Sequence, residues 1–435
     1  MPADFLGISI EWTSVAPFGG PAHAGIVRLL RPLERARGAP LTLRIGGASA
    51  DESWWDPTGR RPRPPTIRTA IGPRTLDAIA ALSHGLHAPV TLGLDLQLND
   101  PANALALARA AQRRLGARLD ALEIGNEPDL YTRARAFGPK EVRRLRKRVA
   151  YTPADYVRDA GRYLDALRAG IRGPRLVVGG FAGNTHFTAV LPRLIAAHRL
   201  QVGAVAAHRY GEAACVLRLD VTDVRSRLLD TGTAHARLER LRALIRLAHA
   251  RGLPLRVEEL NSAPCGGAPG ISDSFAAALW LADSLFELVR LGADEAHVHT
   301  FDRAVYSPFA RRGSGVTTRP PYWGMLAFAR AAPRGSRLVP VRVADAGPVR
   351  AWATRTADGT VRIALIAAAR AKRLRVRVAT GARRPCATVQ VTSAPSLAAR
   401  AGIADRPARP VCPRGGGLAL TLPGPSLAVV TVPGR

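Results

Sequence analysis

No stretch of the 435 residues holds about 18 apolar residues free of charge, so the sequence predicts no membrane-spanning helix. The start, Met1 to Trp12, runs almost at once into a strand-like pattern without a basic leader or apolar leader core. No signal peptide is therefore expected within the chain. Lysine is nearly missing: Lys140, Lys147 and Lys372 are the only ones, although Lys and Arg together number 63 against 33 Asp and Glu. The formal charge of +30 is thus arginine spread along the chain among abundant Ala, Gly and Pro. With no zinc finger, helix-turn-helix signature or aromatic-interleaved basic segment, that dispersal argues against nucleic acid as the partner. The four cysteines, Cys215, Cys265, Cys386 and Cys412, lack C-x-x-C spacing, which excludes a zinc ribbon or a dithiol redox motif. Their even number suits two disulfides in an oxidising compartment, and four cytosolic thiols fit the count as well. No period of about 20–50 residues recurs, so a solenoid or propeller is not expected.

What is present is an alternation. Eight short apolar strand candidates start near Phe5, Leu41, Val90, Leu122, Arg175, Val202, Leu255 and His297. Continuous apolar runs of this length suit strands buried on both faces of a parallel sheet. Segments with apolar residues at i, i+3, i+4 and i+7 lie between them; the clearest span 74–86, 102–115, 154–171, 235–251 and 272–291. Residues 321–331 supply the closing helix. The pattern predicts an α/β fold, a (β/α)8 TIM barrel over residues 1–331. From 332 to 435 it changes to short strands separated by Pro and Gly, with a turn at Asp358-Gly359, and predicts a C-terminal β-sandwich domain.

Barrel active sites gather where strands end. The fourth strand ends in Asn126-Glu127, within LEIGNEPDLY, and the seventh in Glu259, within VEELNSAPCGG. Two carboxylates at facing strand ends, one kept as an acid and the other ionised, are what a retaining glycosidase needs. Side chains alternate along a strand, so only one of Glu258 and Glu259 is expected to point inward, and Glu259 shares its parity with Asn261. His208, His297 and His299 lie near strand ends without a metal-binding spacing, and read as hydrogen-bonding groups; no metal and no organic cofactor are expected. Trp54 and Trp55 fit either a sugar-stacking surface or a loop anchor. The run from Lys140 to Arg148 reads as a solvated charged segment in the loop after the fourth strand. Cys215 follows strand six and Cys265 strand seven, so their loops are neighbours and the two are expected to pair, as are Cys386 and Cys412.

FLGISIEW, LRIGGASADESWW, IGNEPDLY, E-x-N-S followed by CGG, and SDSFAAALW together resemble glycoside hydrolase family 79, the β-glucuronidase and heparanase family of clan A. The resemblance runs from Phe5 through Ala331 and is most specific between Glu259 and Trp280. It implies Glu127 as general acid/base and Glu259 as nucleophile, with Asn126 on the sugar 2-hydroxyl. It places Glu11 against sugar hydroxyls, Asp51 at the acidic position after the second strand, and Tyr210 beside the nucleophile. Gly266 and Tyr306 would offer donors to a substrate carboxylate. Pro264 departs from the pattern, standing where the family has a tyrosine that helps hold the uronate; proline brings neither hydroxyl nor N–H. The implied activity is that of a retaining exo-β-glycosidase, a β-glucuronidase, acting on a uronic-acid-containing carbohydrate. An endo-acting, heparanase-like hydrolase of anionic polysaccharide and a non-catalytic basic glycan-binding barrel are the alternatives. A secreted or extracytoplasmic location is expected.

Overall fold

A computed structural model of the chain describes residues 1–131, 151–212, 220–344, 347–369, 373–379, 386–414 and 417–434. The charged run from Lys140 to Arg148 and Cys215 fall outside the described residues.

Eight parallel strands close into a barrel in chain order: β1 (Leu6–Glu11), β2 (Thr42–Gly46), β3 (Val90–Leu94), β4 (Leu119–Ile124), β5 (Arg175–Phe181), β6 (Val202–Tyr210), β7 (Leu255–Asn261) and β8 (Glu295–Thr300), with β8 pairing back to β1. Every residue of β1, β2, β3, β7 and β8 is buried, as continuous apolar runs require when helices cover the outside. The helices on the outside include α1 (His23–Arg37), α2 (Pro73–Gly85), α3 (Pro101–Leu115), α4 (Pro153–Gly170), α5 (Thr185–Ala197), α6 (Arg242–His249), α7 (Phe275–Leu291) and α8 (Pro320–Ala331). Local chemistry fixes their starts. Thr152 and Asp155 cap α4 reciprocally, and Asp100 accepts from the Asn103 N–H at the head of α3.

Two elements depart from the sequence reading. β4 begins at Leu119 rather than Leu122, because Asp120, polar in the pattern, is ion-paired with Arg256 at 2.6 Å and with Arg175. The helix expected over 235–251 is two, Thr231–Glu239 and α6, turning between them so that Leu238, Leu241, Leu244 and Ile245 are all buried.

A third departure bears on the site. Val257 pairs with Ala207 and Glu259 with His208 on the β6 side, while Val257 and Leu260 pair with Ala296 and Val298 on the β8 side. One extra residue is therefore inserted at Glu258, a β-bulge that resets the alternation. Glu258 and Glu259 both reach Arg44, at 3.7 and 2.8 Å, so the expectation that only one points inward is overturned.

Beyond α8 the strands turn antiparallel: β9 (Arg337–Val339), β10 (Val349–Arg355), β11 (Val361–Ala367), β12 (Leu374–Ala379), β13 (Ala387–Ser393), β14 (Ala404–Val411), β15 (Gly417–Leu422) and β16 (Ser426–Val432). They form a six-stranded sheet, ordered β9-β10-β11-β16-β13-β14, and the pair β12-β15. Leu365, Val389, Val430, Leu418, Leu420 and Leu422 pack together as the core of a sandwich. β14, with Pro407 and Pro410, was unreadable as a strand; it is tolerated because it lies at the sheet edge. Cys386 and Cys412 form a disulfide beside the Ala387–Val411 pair, with Cα atoms 4.0 Å apart. Cys265 is also disulfide-bonded.

Candidate active site

At the C-terminal ends of the barrel strands, acidic, basic and hydroxyl groups converge on two glutamates. Glu127 follows β4 in a sharp turn. Gly125 has φ +79°, and a Cβ there would lie 2.8 Å from Leu96 and 3.1 Å from the Tyr131 hydroxyl, so glycine is required. Glu127 itself takes a left-handed conformation, φ 46° and ψ 52°, held by its N–H to the Gly180 carbonyl at 3.0 Å. Strain of this kind in a non-glycine residue is found where the surroundings overdetermine the backbone, often at active sites. Asp129 locks the turn by accepting from the N–H groups of Ala182, Gly183 and Asn184 after β5.

Glu259 ends its strand in a dense donor set. Tyr210 donates to Oε2 at 2.6 Å and Arg44 to Oε1 at 2.8 Å. His208 and His299 lie 3.7 and 3.8 Å away. Glu127, Glu259 and His208 each offer an atom within 4.8 Å of the others. That spacing suits the short carboxyl separation of a retaining pair, about 5–5.5 Å, rather than the wider gap of an inverting one. His208 Nδ1 is 3.0 Å from Glu127, and its Nε2 is 3.7 Å from Glu123. Burial would drive this ring to its neutral form, but Glu259, Glu123 and Glu127 outweigh it and raise its pKa to about 10. The carboxylates around it thus favour the charged form of the ring.

The two glutamates are pushed in opposite directions. Burial, seconded by the charges of Glu259 and Asp129, raises the Glu127 carboxyl against the pull of His208. Burial would raise Glu259 as well, but His299, His208, Arg44 and the Tyr210 hydroxyl hold it well below the usual carboxylate range. One is poised as an acid and the other as an anion. Glu127 is also the more accessible, its side chain 20% exposed against 5% for Glu259.

Arg44, fully buried on β2, ties the site together and was not singled out from the sequence. It donates to Glu123 and Glu259, to Ser9 Oγ and, at 3.0 Å, to Asn126 Oδ1. With Oδ1 occupied, the NH2 of Asn126 is the end left to donate towards the barrel mouth. A charged residue inside the apolar run LTLRIGG was the available signal.

The remaining expected residues divide. Glu11 ends β1 and accepts from the Ala48 and Ser49 N–H groups and the Ser49 hydroxyl, with His299 Nε2 3.3 Å away. Asp51 is 4% exposed; it accepts from the Leu96 and Asn126 N–H groups and, at 2.9 Å, from Tyr131. Its oxygens are engaged in bracing the turn that carries Asn126. Gly266 is buried, with φ +83°, and a Cβ would come within 2.9 Å of Phe301. Its carbonyl accepts from Val305 at 2.7 Å, stitching the loops after β7 and β8 and bringing Tyr306 beside the His299 and Tyr210 rings. Burial raises the Tyr306 and Tyr210 hydroxyls far above their ordinary values, so both remain donors. Pro264 opens the same turn, its carbonyl accepting from Gly267. His297 is hydrogen-bonded to Thr42 at 2.8 Å inside the barrel, and Trp55 is buried and tied to Asn103 as a loop anchor.

No family model matches the chain. A curated β-glucuronidase of Aspergillus niger is 26% identical over 400 residues, covering 83% of this chain and 71% of the relative. Among solved structures, a 4-O-α-L-rhamnosyl-β-D-glucuronidase from Fusarium oxysporum matches with a TM-score of 0.79 at 19% identity, over 99% of this chain and 96% of the other. A family 51 α-L-arabinofuranosidase from Bifidobacterium longum matches at 0.69 and 14% identity, over 99% and 96%. These structural likenesses carry the fold, a barrel with an appended β-domain.

Proposed function

We propose that this chain, a glycoside hydrolase with the clan A barrel, is a retaining exo-β-glucuronidase in which Glu127 is the general acid/base and Glu259 the nucleophile. The observation that carries the reading is the meeting of two strand-end carboxyls, with oxygens within 4.8 Å of one another, in surroundings that push one up and the other down. The names of two relatives, both glucuronidases, support the sugar.

In the first step Glu259 attacks the anomeric carbon while Glu127 protonates the departing glycosidic oxygen, and the aglycone leaves as an alcohol. In the second, Glu127, now a carboxylate, takes a proton from water, whose oxygen displaces Glu259 from the sugar. Tyr210 and Arg44 fix the nucleophile's two oxygens, each by a short hydrogen bond. The NH2 of Asn126 faces the 2-hydroxyl, where a contact tightens as positive charge grows on the ring. Glu11 binds sugar hydroxyls from the opposite side, and Asp51 acts through Asn126. The Gly266 N–H and the Tyr306 hydroxyl recognise the uronate carboxylate, with Pro264 removing one donor from that set. The Cys386–Cys412 disulfide and the bonded state of Cys265 support action in an oxidising, extracytoplasmic compartment.

Kinetics on nitrophenyl β-glycosides test this. Glucuronide should be preferred to glucoside, galactoside and xyloside. Glu259→Gln should abolish turnover even with good leaving groups, whereas Glu127→Ala should spare those substrates and be accelerated by azide. Full activity in both variants contradicts the assignment.

A further inference from the structure

We infer that Glu123 and Glu258 share a single proton below the catalytic carboxyls, making Glu258 a neutral positioning residue that leaves Arg44 to hold Glu259. The inference rests on Glu259 being the nucleophile.

The bulge in β7 brings Glu258 into the barrel interior with no exposure at all. Counted as carboxylates, neither Glu258 oxygen has a donor among the described residues, and neither does Oε1 of Glu123. Three buried acceptors without a donor leave the cost of desolvating them uncompensated, and most of all when they are charged. The two carboxyls nevertheless meet at one atom, Arg44 Nε, which lies 2.7 Å from Glu123 and 3.7 Å from Glu258. A proton on Glu258 settles two of the three, since one Glu258 oxygen then donates to Glu123 Oε1; it leaves a neutral carbonyl oxygen and removes the repulsion between two buried anions.

The surrounding charges allow no second anion. Arg256, beside Glu258 on β7, is already bound to Asp120 at 2.6 Å and Glu295 at 2.9 Å, and approaches Glu258 only to 3.8 Å. Arg44 on β2 lies 2.7 Å from Glu123, 2.8 Å from Glu259 and 3.7 Å from Glu258. His208 on β6 faces Glu123 at 3.7 Å, and His297 on β8 feels the Glu123 charge. Gly180 on β5 closes the remaining side, where a Cβ would sit 2.8 Å from Glu123 Oε1. An ionised Glu258 would compete for the guanidinium that orients Glu259 and Asn126. In keeping with the geometry, burial and the Glu123 charge push Glu258 far up, while Arg44 and His208 overcome burial and hold Glu123 down at about 2.

The test combines infrared spectroscopy with kinetics on the full chain. At about pH 9, where ordinary carboxyls are ionised, the wild type should show a protonated-carboxyl carbonyl band that shifts in D2O and is missing from Glu258→Gln. Glu258→Leu, which leaves Glu123 Oε1 without a donor, should lower kcat by about ten-fold or more with KM within about two-fold. Glu258→Gln, whose amide donates in place of the acid, should restore kcat to within about three-fold of wild type. No such band, or a Gln variant as impaired as the Leu variant, overturns the proposal. Should the Leu variant fail to fold, the band difference and the Gln kinetics still decide. Turnover surviving in Glu259→Gln would instead sink the catalytic reading, which the resting-state band does not depend on.

Discussion

Arg44 donates from Nη1 to Oε1 of Glu259 at 2.8 Å, from a position that solvent does not reach. The same guanidinium reaches Asn126 and Glu123, a three-way geometry that a lysine ammonium cannot reproduce. Arg44→Lys should therefore lower kcat by about two orders of magnitude, and Arg44→Met should also destabilise the fold by about 3–5 kcal/mol by stranding buried carboxylates. Steady-state kinetics and denaturant melts check the two outcomes.

Tyr210 supplies the other short hydrogen bond to Glu259, the proposed nucleophile. Tyr210→Phe removes a donor to a charged group, with an expected loss of about 10–100-fold in kcat. It also removes one of the groups that depress the Glu259 pKa. Because the nucleophile must be ionised, the acidic limb of kcat/KM should move to higher pH. An unchanged limb would show that Tyr210 does not act on Glu259.

His208 acts on both Glu127 and Glu259, the proposed catalytic carboxyls, lowering each. Activity is lost as pH falls through the Glu259 pKa and as it rises through that of Glu127. Replacing the imidazolium by a neutral side chain raises both values, so His208→Asn should shift the entire bell to higher pH rather than narrow it. A full pH profile of kcat/KM on the glucuronide measures this.

Tyr306 separates substrate charge from chemistry. Tyr306→Phe should raise KM for the glucuronide by about ten-fold, as expected for a lost hydrogen bond to a carboxylate, and leave the glucoside nearly unaffected. Equal losses on both substrates would mean that Tyr306 supports the loop instead of reading the carboxylate.

The barrel was legible because its strands are continuous apolar runs and its main helices keep strict periodicity. The meeting of Glu127 and Glu259, proposed above as the catalytic pair, was legible because GNEP and the glutamate before Asn261 sit at strand ends. What escaped had physical causes. Asp120 hid the start of β4 because its charge is cancelled by arginines distant in sequence. Glu258 was assigned outward because a bulge leaves no local mark in the sequence. Arg44 went unremarked because its role appears only when β1, β4 and β7 close around it.

The central claim is most directly tested by following hydrolysis of 4-nitrophenyl β-D-glucuronide by proton NMR in the first moments of reaction. Double displacement through Glu259 predicts that glucuronic acid appears first as the β-anomer and equilibrates to α only afterwards. Initial release of the α-anomer, or cleavage of the glucoside with none of the glucuronide, would contradict the account.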